Sequence, residues 1–409
     1  MLGPADSKPC MRDRVLLVSW TVPPETSGSA VIVGNLAKQF TRDEMVVTGE
    51  RPLGRPGVTW RADWPRLVYS ILGWPPGKRG ARWWRGLQLP LLVLRCFWLV
   101  RKYNCTAVLV VFPREEFLLA GYLAAAWTGA KLFPYFHNTY VEDRSGLSWY
   151  FARWLQARVF TKASHVFVMS EGMVQLYRER YPELKCSALP HTFNEAVPDF
   201  ASPPELGSPV RFVICGNINE SCREATVRVC EAIAQLDRAS LTLLSGTPER
   251  FLKRLGLLRA GVRRETVSRD QVVARLREAD VVVLAHGFDG AMAPEEYRTI
   301  FPTRTIEYLI CGRPILAHAP ADCYLTRFLR EHDCALLVTE PSVAALLAAL
   351  ERLQAEAELR ARLVRNALRA ADMFEAPRVA GLLRRHLGLN GVPSTSPAGA
   401  QLGAAAGSR

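Results

Sequence analysis

The sequence predicts an α/β chain of two doubly wound domains facing one another across a cleft. Three observations carry this expectation. Short apolar runs alternate with amphipathic stretches, a Pro- and Ser-rich pause divides the alternation into two rounds, and 409 residues exceed what one compact core usually organises.

The first round contains VLLVS at 15, AVLVVF at 107, KLFPYF at 131 and HVFVMS at 165. The second contains RFVICG at 211, SLTLLSG at 240, DVVVLA at 280 and RPILAH at 313. Continuous apolar runs of this length, separated by helical stretches, read as strands of parallel sheets covered on both faces. The pause, AVPDFASPPELGSP, suits neither helix nor central strand. It sets a first domain over residues 12–195, a linker over 196–209 and a second domain over 210–375. Beyond residue 341 the pattern is helical, with Leu347, Leu350, Leu353 and Leu363 near one face. Pro377 interrupts it, RVAGLLRRHLGL forms a terminal helix over 376–389 that packs back on the first domain, and residues 390–409 read as a disordered tail.

Apolar residues make up 49% of the chain and charged residues 22%, with a formal charge of +13. That excess asks for an anionic partner, nucleic acid or membrane surface. The ten cysteines, at 10, 96, 105, 186, 215, 222, 230, 311, 323 and 334, form no Cys-x-x-Cys pair, so free buried thiols in a reducing cytosol are expected. No Asp-x-Asp appears, and no metal site is expected. The N-terminus has no signal-peptide stretch. No segment reaches the roughly 20 apolar residues that span a bilayer. LQLPLLVLRCFWLV at 87, broken by Pro90 and Arg95, is suited to an interface instead.

Residues 64–103 hold eight Lys or Arg, no Asp or Glu, and five of the ten tryptophans. Residues 144–163 add four basic residues, no acidic one, and Trp149 and Trp154. Basic residues are drawn to anionic headgroups and tryptophan settles at the interface, so both stretches point to an anionic membrane surface. Basic patches with aromatics also bind single-stranded nucleic acid. The adjacent LPLLVL run and the lack of a nucleic-acid module favour the membrane.

In open parallel sheets, ligands bind at the carboxyl ends of the strands. WTVPPETSGSAVIVGNLAKQF, after the first strand, turns sharply into a helix through small residues, with Gly28 and Ser29 at the turn and neither Gly-x-Gly-x-x-Gly nor Gly-Lys-Ser/Thr. In HGFDGAMAPEEYRTIFPTRTIEYLICG, Pro302 and Thr303 open a helix that Gly312 ends. Its N-terminus suits an anion, Arg304 lies in its first turn, and Glu307 could accept two hydrogen bonds from vicinal hydroxyls. On spacing alone Glu307 also reads as a solvated helix carboxylate. In CGNINESCREATVRVCEAI, Gly216 closes a strand and Arg223 enters a helix, within reach of a diphosphate or as surface decoration.

The run FPTRTIEYLICGRPILAH resembles the Pro-Ser-Lys-x-x-Glu-Tyr and small-Gly-x-Pro segment of family 4 retaining glycosyltransferases of GT-B architecture. ALPHTFNEAV at 188 and SHVFVMSEGMVQLY at 164 are similar to two further passages of that family, and the likeness extends from residue 14 to about 388. The resemblance implies two Rossmann-like domains and metal-independent transfer of a sugar from a nucleotide-diphosphate sugar, with retention. No cofactor other than that donor is implied. Glu307 would bind the ribose, Thr303, Arg304 and Arg223 the diphosphate, beside Gly216 and Asn217. Gly28 and Ser29 would lie near the donor phosphate and acceptor, and His137 at the donor sugar. The chain departs from the family at Thr299, where its first carboxylate would stand, leaving Glu295 and Glu296 as the nearest catalytic candidates. It departs again at Asn217, where the family often has Arg. The expected role is a cytoplasmic hexosyltransferase of polysaccharide biosynthesis, peripheral on the inner face of the cell membrane, extending a lipid-linked or cell-surface glycan. The alternatives are a non-catalytic nucleotide-sugar-binding protein of the same fold, or an epimerase or phosphorylase.

Overall fold

The computed structural model describes residues 13–389 except 24, 26, 53–59, 62, 76–79, 200–204 and 291. The expected boundary at residue 12, part of the linker and the tail over 390–409 lie outside the described residues.

The first sheet has seven strands: β1 (Val15–Val18), β2 (Met45–Arg51), β3 (Arg66–Leu72), β4 (Ala107–Phe112), β5 (Lys131–Phe136), β6 (Val166–Val168) and β7 (Cys186–Ala188). Their order is β3-β2-β1-β4-β5-β6-β7, and every pairing is parallel. The second has six: β8 (Val210–Cys215), β9 (Ala239–Leu244), β10 (Val262–Glu265), β11 (Val281–Ala285), β12 (Ile315–His318) and β13 (Leu336–Val338). Their order is β10-β9-β8-β11-β12-β13, again all parallel. Both sheets are thus doubly wound, with the strand order reversing between β1 and β4 and between β8 and β11. The crevice outside those strand ends is where such sheets bind ligands.

The central strands are apolar on both faces because helices cover both. β1, β4 and β11 are buried at every residue. The expected strands at 15, 107, 131, 165, 211, 240, 280 and 313 are β1, β4, β5, β6, β8, β9, β11 and β12. The helical pattern beyond residue 341 divides into Val343–Ala355 and Ala357–Ala371, joined at Glu356, whose extended ψ of 93° breaks the helical path.

The last helix, Ala376–Leu387, leaves the second domain and packs on the first. Val379, Ala380, Leu383 and Leu387 lie in the first domain's core, and the Arg384 guanidinium reaches Glu44 at 3.0 Å. The chain therefore crosses between the domains twice. The crossings meet where the Phe193 amide donates to Phe374 O at 3.3 Å and the Ala376 amide to Phe193 O at 3.1 Å.

Candidate active site in the interdomain cleft

The two sets of strand ends enclose a cleft of about 710 Å³. Gly28 opens the helix Gly28–Ala37, whose N-cap is Ser27; the Ser27 hydroxyl accepts from the Ala30 amide at 3.3 Å. A side chain at Gly28 would begin 3.1 Å from the Thr303 hydroxyl of the opposite domain. The starts of two helices, one from each domain, therefore approach each other closely at this point.

On the first-domain wall, His137 follows β5 and is 7% exposed. Its Nδ1 lies 2.9 Å from the Ser29 hydroxyl, while its buried Nε2 has no partner. Burial, helped by His191, holds its pKa well below the ordinary imidazole value, so the ring is neutral. His191 Nε2 donates to Phe301 O at 3.0 Å and its Nδ1 is likewise unpartnered; burial lowers its pKa to about 3. Two neutral imidazoles thus line the cleft, each with one ring nitrogen unpartnered.

On the second-domain wall, Gly216 closes β8 with φ +101°, and a side chain there would start 3.4 Å from the Arg304 guanidinium carbon. Glycine satisfies both constraints. Arg304 Nη1 donates to Cys215 O at 3.1 Å, which holds the guanidinium under the turn. Glu307, one turn into the helix Arg304–Ile310, is 5% exposed and pairs with Arg269. Burial raises the Glu307 carboxyl above its usual value against the pull of Arg269. Arg269 also lines the cleft. Sequence reading missed it, because it comes from the loop after β10 and nothing near it in sequence signals its partner.

Glu296 and Thr299 both line the cleft, three residues apart on the helix Pro294–Thr299. The Glu296 carboxylate accepts from Asn138 Nδ2 at 2.6 Å, from the Thr139 amide at 2.8 Å and from the Thr139 hydroxyl at 2.6 Å, all across the domain boundary. Burial raises its carboxyl, and these donors oppose the rise. On the same boundary, the Ser170 hydroxyl donates to Thr299 O at 2.5 Å.

Two expected site residues stand elsewhere. Glu295 does not line the cleft; it pairs with Arg180 at 2.7 Å, because a residue next to Glu296 on a helix points about 100° away. Arg223 is also outside the lining, half-exposed and paired at 2.8 Å with Glu220 in the turn just before its helix. Gly28, Ser29, His137, Gly216, Asn217, Glu296, Thr303, Arg304 and Glu307 come together around the cleft. Among the described residues, no three His, Cys, Asp or Glu side chains gather into a metal-binding group.

No protein-family model and no curated protein sequence matches the chain. Solved structures do. Sucrose-phosphate synthase of Thermosynechococcus elongatus superposes with TM-score 0.67 at 17% identity, covering 92% of this chain and 99% of that one. HepE of Anabaena, solved with UDP and glucose, gives 0.65 at 16%, covering 92% and 99%. The lipopolysaccharide outer core galactosyltransferase WaaB gives 0.59 at 13%, covering 91% and 99%. With two parallel-sheet Rossmann-like domains enclosing this cleft, and neighbours of that architecture over nearly their whole length, the chain has the GT-B fold.

Proposed function

We propose that the protein is a glycosyltransferase that moves a sugar from a nucleoside-diphosphate sugar to a glycan acceptor, lipid-linked or at the cell surface. The observation that carries this reading is the second-domain wall: a buried carboxylate, Glu307, one helical turn from Arg304, with the strand-closing Gly216 beside it. A ribose would donate its hydroxyls to Glu307, and the diphosphate would lie toward Gly216, Thr303 and Arg304. Arg269 would supply the second cation in place of Arg223. The neighbouring HepE was solved with UDP-glucose, which supports a nucleotide-sugar donor, and WaaB is named as a galactosyltransferase of the lipopolysaccharide outer core, which supports a cell-surface glycan acceptor.

In this reading the departing diphosphate is stabilised by fixed positive groups rather than by a metal ion. His137 Nε2 is poised toward the donor sugar, and retention follows from same-face attack assisted by the leaving phosphate. Glu296 positions: its oxygens hold Asn138 and Thr139, the two residues after His137. Thr299 and Asn217 favour one other reading, a binding protein that holds the donor and transfers nothing.

The test is a thermal-shift series with UDP, GDP and ADP on wild type and Glu307→Ala, followed by donor turnover. Ligand at about 100 times its Kd should add about 2.7 kcal/mol of stability. Glu307→Ala should weaken binding roughly tenfold or more by removing a charged acceptor. If none of the three nucleotides raises Tm, the proposal fails; if one binds and no sugar is ever released or transferred, the binding-only reading replaces it.

A further inference from the structure

Twelve large apolar side chains stand exposed among the described residues, and ten of them belong to three neighbouring helices of the first domain. On the helix Ala81–Lys102 they are Trp83, Leu87, Leu91, Leu94 and Trp98, spaced by four, four, three and four residues. That spacing is one continuous helical stripe, and Trp83 and Leu87 are 82% and 77% exposed. The helix Gly146–Lys162 presents Leu147, Tyr150, Phe151 and Trp154, also on one side, with Leu147 88% exposed. Between them the helix Glu115–Thr128 contributes Trp127, which meets Phe97 edge-on at 6.4 Å. Residues that cover a core are not left this bare, and monomeric proteins rarely expose contiguous apolar patches of this kind without a partner.

The charge around the patch selects the partner. Neither outer helix contains an acidic residue. Glu115, at the start of the middle helix, is held by Arg144 at 3.0 Å and Arg82 at 3.6 Å. Arg95 and Lys102 lie over the Trp98 ring at 4.7 and 4.3 Å, and Arg158 over Trp154 at 5.6 Å. Tryptophan and leucine at the centre with guanidinium and ammonium groups beside them match a bilayer surface, with acyl chains at the patch and anionic headgroups at its border. No described helix is long and apolar enough to cross a membrane.

We infer that this three-helix face docks the protein on an anionic lipid surface, with the mouth of the cleft at the bilayer. The orientation follows from the winding: each helix runs back from the side of the sheet where its preceding strand ends, the side that faces the second domain, and the contacts of Arg82 and Arg144 with Glu115 bring the three starts together. Trp83, Leu87, Leu147 and Tyr150 therefore lie toward the strand-end side of the first domain, the side that also carries Gly28 and His137. Resting on the glycosyltransferase reading, the acceptor is then an amphiphile, presented from the lipid side to the wall that carries Gly28 and His137. The structure also redraws the surface expected over residues 64–103. Trp64 packs edge-on against Trp60 at 5.2 Å, and Trp74 packs at a tilt against Trp84 at 5.5 Å, whose indole donates to Leu72 O at 3.0 Å; these serve the fold, and Trp127 joins the face instead.

The test is sedimentation of the full-length protein with phosphatidylcholine vesicles, with and without phosphatidylserine, at low and high salt. Wild type should pellet with the phosphatidylserine vesicles and be released by salt. Trp83→Ser/Leu87→Ser/Leu91→Ser and, separately, Leu147→Ser/Tyr150→Ser should each weaken partitioning on the order of tenfold or more. Because these side chains are exposed, Tm and its rise with nucleotide should be unchanged. Wild type that stays in solution at low salt, or variants that pellet like wild type, overturn the inference. So does a wild-type dimer that the stripe variants dissolve without any vesicle binding, which assigns the face to a second copy. Vesicle binding with no nucleotide-induced rise in Tm would leave the docking face standing and remove the glycosyltransferase reading.

Discussion

Replacing Glu296 by Ala tests how the two domains are held together. The side chain is 3% exposed and accepts three hydrogen bonds, all from the other domain. Its loss leaves the Thr139 amide and hydroxyl and the Asn138 amide without their acceptor, at about 1–3 kcal/mol for each donor left dry. Two terms offset that cost. The site opens on the cleft, so water can reach some of the donors, and the desolvation of the carboxylate disappears with it. A net loss of about 2–4 kcal/mol remains, or roughly 5–10 °C in Tm by calorimetry. A Tm within about one degree of wild type would refute the latch. Glu296→Gln adds a test of sign. The folded pKa is raised above the unfolded value of about 4.3, so between the two the folded chain binds more protons and stability falls as pH rises through that window. The advantage of wild type over Glu296→Gln should therefore shrink from acid toward neutral pH and then level off. An advantage that grows over the same range would mean that the three donors outweigh burial, and the argument from desolvation would be wrong.

Other outcomes follow from the same cleft. Gly28→Leu should reduce transfer by about 100-fold, close to 2.7 kcal/mol, and reduce nucleotide affinity by less than that, because the new side chain presses on Thr303 but leaves Arg304 and Glu307 in place on the other wall; equal loss of both would count against the placement. The His137 imidazole should show no titration by NMR between about pH 5 and 8, since burial keeps it neutral there, and a midpoint near 6.5 would mean the ring is solvated. Burial pushes the thiols of Cys96, Cys215, Cys311 and Cys334 up to about 12. In a Cys10→Ser background, a disulfide-exchange reagent near pH 8 should therefore leave these four thiols unmodified by mass spectrometry until the protein is denatured.

The strands readable in the sequence were those buried on both faces. β3, β7, β10 and β13, which went unread, are the four sheet edges. An edge strand has one neighbour and needs no continuous apolar run: β10 is VRRE, and β7 is only CSA. β2, MVVTGER, was missed because its apolar half gives way to polar residues at the strand end. In the cleft, local chemistry was legible: the helix start at Pro302–Thr303, and the glycine at 216 whose left-handed backbone the turn requires. Contacts between distant segments were not. The partners of Glu296 lie 157 and 158 residues away, and the pair of Glu307 with Arg269 joins the helix Arg304–Ile310 to the separate segment after β10. Spacing also could not separate Glu295 from Glu296, since only the rotation of the short helix decides which of the two meets the cleft.

The return of the helix Ala376–Leu387 to the first domain bears on how the chain is made. During synthesis the first sheet emerges early, but Val379, Leu383 and Leu387, which close its core, are among the last described residues to leave the ribosome. The first domain must therefore wait, with that apolar site bare, while the whole of the second is translated. Emergence of the helix Ala376–Leu387, rather than emergence of the first sheet, is the event that completes it.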